Sequence, residues 1–163
     1  MPRFLFVLTL ALFTFSNAAV AGSCYSKAEA EAEQGIRIHS ELMVIGLNCQ
    51  HMGAREGQNL YLQYRQFTST HADLFAKYEQ ILMGHFKKND SGKPEAKLNA
   101  LRTGFANKIS NDVASMRPDV FCSRYAPRIT QASAMKHNDV RKWASTFHTS
   151  HPVSRPLCAA HRG

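Results

Sequence analysis

The chain has 163 residues, with 20 Lys+Arg against 12 Asp+Glu, eight His, four Cys and one Trp. That length fits one domain plus a removable leader, and 44% hydrophobic with 20% charged residues excludes bulk disorder. Six Pro and nine Gly exclude collagen-like or low-complexity character, and a formal charge of +8 excludes an acidic buffer or solvating tail.

Residues 1–21 read as a cleaved signal peptide. Arg3 is a short positive region, residues 4–15 are an apolar run, and small residues lead to Ala19-Val20-Ala21 at the cut site. The run is shorter than the roughly 20 residues that span a bilayer. No later run approaches that length, so the expectation is an exported protein, periplasmic or secreted, with no transmembrane segment in a mature chain from Gly22. Ala21-Gly22-Ser23-Cys24 is similar to a lipoprotein acylation box, but Ala stands three residues before the cysteine where Leu, Val or Ile is usual. Acylation there would leave three cysteines, an awkward odd number for an exported protein.

The first helix is expected over Lys27–Asn48, with a seam of Gly35, Ile38, Leu42, Ile45 and Cys49 at spacings of 3 and 4. Gln50–Gln58 holds Gly53 and Gly57 and reads as a connection. A second helix is expected over Asn59–Phe86, where Leu60, Tyr64, Phe67, His71, Leu74, Tyr78 and Ile81 repeat at helical spacing. Lys87–Lys93 is a loop by its Asn-Asp-Ser-Gly run. The third helix starts at Pro94 and carries Leu98, Leu101, Phe105, Ile109 and Val113 to about Met116. Pro118 opens a fourth element that Pro127 should kink, giving pieces near 118–125 and 128–147. From about 148 the chain reads as an irregular tail, with Pro152 and Pro156.

These segments predict an all-α fold, mainly an antiparallel four-helix bundle with a kinked fourth helix. An exported chain with Cys24, Cys49, Cys122 and Cys158 should form two disulfides. Cys24 and Cys49 flank one helix, roughly 37 Å apart at 1.5 Å per residue, and cannot bridge each other. Up-down-up-down topology puts Cys49 and Cys122 at one end and Cys24 and Cys158 at the other, so those pairings are favoured.

Charge divides unevenly. Residues 22–86 carry five Lys/Arg and seven Asp/Glu, a balance of −2; residues 87–163 carry fourteen and five, a balance of +9. The asymmetry predicts a basic face on the third and fourth helices, with Lys97, Arg102, Lys108, Arg124, Arg128, Arg141 and Lys142 as partner-binding candidates. The expected partner is an anionic envelope component or a protein. No recognised nucleic-acid-binding motif is present, so no specific nucleic-acid role is expected. The eight histidines would raise the charge in mild acid, which gives an acid-stress role as a further alternative.

The main reading takes no cofactor. A second reading is a metal- or haem-binding bundle that uses His39 and His71, estimated at similar heights on adjacent helices, with Met43 as a soft ligand suited to copper. His148, His151, Cys158 and His161 imitate a zinc set, but a disulfide would remove the Cys158 thiolate. Met83/His85 and Met135/His137 are Met-x-His pairs, and Asn89-Asp90-Ser91 matches a glycosylation sequon. Glu41 sits near His39, within reach of acid–base work. Gly-x-Ser-x-Gly, His-Glu-x-x-His, P-loop and dinucleotide patterns are missing, which weighs against catalysis.

Overall fold

The computed structural model describes residues 24–51 and 59–159. The leader, its cut site, most of the 50–58 connection and His161 lie outside the described residues. Seven helical segments run through them: α1 Lys27–Cys49, α2 Leu60–Thr70, α3 Ala72–Asn89, α4 Pro94–Ser115, α5 Pro118–Tyr125, α6 Pro127–Ser133 and α7 His137–Ala144. No strand forms among the described residues; two isolated bridges pair Tyr25 with Leu157 and His148 with His151.

Local chemistry sets the helix ends. Ser26 and Glu29 form a capping box at the start of α1. The Asn59 side chain accepts from the Tyr61 and Leu62 amides at the start of α2. Proline stands in the first turn of α4, α5 and α6, where its missing N–H costs nothing. Gly92, at φ +93°, turns the chain between α3 and α4 in a conformation that L side chains resist.

α1 is the hub, packed against each of the other six helices. Its predicted seam is buried: Ile38, Leu42, Ile45 and Cys49 are core residues, and Gly35 is buried against Tyr78. Burial nevertheless extends round the whole helix and takes in Ala30, Ala32, Ile36 and Val44. A helix covered on every side sits at the centre of the fold.

The expected second helix is two segments. At His71 the backbone leaves helical angles (φ −112°, ψ 21°). The ladder bends there without being severed, since the His71 amide still bonds Phe67 and the Phe75 amide bonds His71. The expected fourth element is three pieces, because the chain breaks again over Ala134–Lys136 beyond the Pro127 bend. This arm runs antiparallel to α1: Cys122 meets Cys49, Arg128 meets Glu41, Arg141 meets Glu31 and Cys158 meets Cys24. Both favoured disulfides form, with Cα–Cα distances of 4.9 Å for Cys24–Cys158 and 5.5 Å for Cys49–Cys122.

Candidate functional site

Three polar residues of α1 lie buried on one side: Glu33 at 0% exposure, and Gln34 and Arg37 at 5% each. Arg37 lies one turn beyond both of the others, three residues after Gln34 and four after Glu33. Charges taken out of water need partners, and residues 145–159 supply them as a non-helical strap. The Gln34 amide donates to the His151 carbonyl at 2.8 Å, and Arg37 Nη2 donates to the Pro152 carbonyl at 2.6 Å. Glu33 accepts from the Ser154 amide at 2.6 Å and from the Ser154 hydroxyl. Further along, Arg155 Nη2 donates to both oxygens of Asp90, and the Tyr25 and Cys158 amides pair with Pro156 and Tyr25 carbonyls.

Beneath this strap lies a cavity of about 330 Å³, bounded by α1, α6 and α7. Arg37, Ile38 and Glu41 line it from α1, and Arg128 and Gln131 from α6. Trp143 closes it from α7, with Met135 from the preceding loop and His148 and His151 from the strap. An adjoining cavity of about 250 Å³ shares Glu41, Arg128 and His151 and adds Lys108, Arg124 and Asp112.

The wall is electropositive. Arg128 stands 3.5 Å from Glu41, with its guanidinium 4.8 Å above the Tyr125 ring. Arg37 packs on Phe105 at 4.6 Å. Its Nε and Nη1 meet no acceptor among the described residues. Both atoms are buried behind the wall, so Arg37 acts on the cavity through its charge. Two neighbours register that field. Burial lowers the pKa of His151, and Arg37, Lys108, Arg128 and His148 lower it further. Burial raises the Glu41 carboxyl, against the opposing pull of Arg128, Arg37 and Lys108.

Of the seven basic residues singled out by sequence, Lys108, Arg124 and Arg128 come together here. Arg102 instead pairs with Glu79 of α3, and Arg141 pairs with Glu31 of α1 at 3.1 Å. Lys97 lies near Asp90, whose pKa it helps to lower, and Lys142 is exposed on α7.

His39 and His71 do not converge. His39 meets the Tyr64 hydroxyl at 3.4 Å and the Phe75 ring at 5.0 Å, while Met43 is half-buried one turn further on. His71 packs on Phe67 and donates from Nε2 to the Met135 carbonyl at 3.2 Å. Phe67 and Phe75, in mutual edge contact, stand between the two imidazoles. Burial is the main cause lowering the pKa of both. No group of three or more His, Cys, Asp or Glu among the described residues is placed to hold a metal ion. Cys158 is in its disulfide and offers no thiolate beside His148 and His151. His85 is buried and donates from Nδ1 to Glu29 at 2.9 Å.

No protein-family model, curated protein or solved structure matches this chain. Sequence reasoning missed Arg37, Gln34 and Trp143 as site residues. A partial signal was present: Glu33, Gln34 and Arg37 stand at helical spacing in the segment that carries the Gly35 and Ile38 part of the seam.

Proposed function

We propose that this chain is an exported, non-catalytic binding protein whose basic cavity takes an anionic group carried by a component of the cell envelope or its surroundings. The observation that carries the reading is the convergence of Arg37, Lys108, Arg124 and Arg128 on two adjoining cavities in which Glu41 and Asp112 are the carboxylates. Preformed concave sites with a few convergent charges are where small ligands bind. Export to a periplasmic or extracellular space draws support from the signal-like leader and from the two disulfides, which fit an oxidising compartment. No helix among the described residues is long and apolar enough to cross a membrane.

Trp143 is the one tryptophan of the chain and lines the cavity, so its emission reports on occupancy. The test titrates the protein with sodium acetate, phosphate and phenylacetate at low and high sodium chloride. At least one anion should change the emission, more weakly in high salt, and Arg128→Glu should abolish the response. Lys87→Glu, on the exposed end of α3, should leave it intact. A flat response to all three anions, or an Arg128→Glu protein that responds like wild type, overturns the reading.

A further inference from the structure

We infer that the anionic group this cavity accepts is the carboxylate of a small organic acid with an apolar body of about one ring, packed on Trp143, Met135 and Ile38 while the carboxylate meets Arg128. This rests on the anion-binding reading and names the ligand class for the same site.

Three observations carry it. The first is size. At about 330 Å³, the cavity has the room of roughly ten water molecules, far more than one small oxyanion fills. It stands at the lower end of organic-ligand pockets, roughly 300–1,000 Å³. The second is the distribution of its wall. Ile38, Met135 and Trp143 come from three different elements, α1, the α6–α7 loop and α7, so an apolar body would be enclosed rather than laid on one side chain. Enclosure is what removes apolar surface from water. The third is the charge count. Arg37 turns its free donors behind the wall, and Arg128 already shares its head with Glu41 at 3.5 Å. A single carboxylate can join that arrangement. A doubly charged phosphate calls for further cations, and Lys108 and Arg124 line the adjoining cavity rather than this one.

Calorimetric titration of the unmodified protein decides it, using phenylacetate, acetate and inorganic phosphate as probes. The expected result is phenylacetate binding at least about tenfold more tightly than acetate or phosphate. Trp143→Ala should remove that preference, bringing phenylacetate to within about twofold of acetate. Arg128→Gln should weaken phenylacetate and acetate together. Acetate or phosphate binding as tightly as phenylacetate overturns the inference and leaves the anion reading standing. Failure of all three probes to bind overturns both. A phenylacetate preference that survives Trp143→Ala places the apolar body elsewhere and also overturns it.

Discussion

Gly35 faces the Tyr78 ring so closely that a Cβ added there would overlap Cδ2 and Cε2. The ring has little freedom to retreat, because Tyr78 is buried and its hydroxyl donates to Glu31 at 2.9 Å. Gly35→Ala should therefore destabilise the protein by about 1–3 kcal/mol, the range for overpacking a core. Gly84 and Gly104 meet nothing within 4 Å and lie inside helices, so alanine at either should stabilise by up to ~1 kcal/mol. Urea unfolding of the three variants checks the contrast; a neutral Gly35→Ala would mean the α1–α3 contact is looser than described. The histidines give a second expectation. His39, His71 and His151 all have pKa values below the ordinary 6.5, with burial the leading cause. As pH falls through that value the unfolded chain takes up protons that the folded chain refuses, so stability declines. The Tm should fall between about pH 7.5 and about pH 5.5, and His39→Gln should flatten the slope. A Tm that holds or rises over that range contradicts this account of the buried rings. Glu41, raised by burial, acts in the opposite direction at lower pH, where the folded chain takes up its proton first.

Helices were legible where local chemistry and periodicity agreed. Pro94 and Pro118 mark starts that the structure keeps, and the 3–4 spacing of Leu60 to Ile81 placed the α2–α3 arm. The bend at His71 was not legible, because its residues keep a continuous apolar stripe while a tertiary contact to the Met135 carbonyl holds the ring. Nor was the central place of α1, since a seam is visible in sequence but its covering on every side depends on the other arms. The strap is the clearest case. Residues 148–158 have no periodicity, and their order comes from buried partners on α1 that are over a hundred residues away in the chain. The Arg155–Asp90 pair anchors its far end, and Arg155 holds the Asp90 carboxyl below its ordinary pKa of 3.8. Arg155→Ala should cost about 1.5–3 kcal/mol, the range for hydrogen bonds to charged groups. It should also speed hydrogen exchange at the His151, Ser154 and Cys158 amides. That contribution is present above the ordinary carboxylate value and is lost as pH falls through the lowered one. Unchanged exchange in Arg155→Ala would mean that the pair does not hold the strap.

At the scale of the whole molecule, the disulfide pairing was readable from topology, because a helix of α1's length keeps Cys24 and Cys49 at opposite ends and the up-down-up-down path brings Cys122 to one end and Cys158 to the other. The two bridges close separations of 134 and 73 residues. Removing Cys24–Cys158 as the double serine variant should cost about 2–5 kcal/mol. It should also weaken anion binding, since the strap carries His148 and His151 into the cavity wall. The cavity itself was only half legible: Lys108, Arg124 and Arg128 stood out as charges, but Arg37 of α1 and Trp143 of α7 come beside Arg128 only through the packing of α1, α6 and α7. The central claim is that this cavity, and no other basic part of the surface, receives an anion. NMR titration of the isotope-labelled protein with phenylacetate tests it most directly. Saturable shifts are expected at the Trp143 indole, the Gln34 and Gln131 side-chain amides and the Arg128 guanidinium. Shifts spread over Lys87, Lys88 and Lys97 with the Trp143 indole unmoved would contradict it.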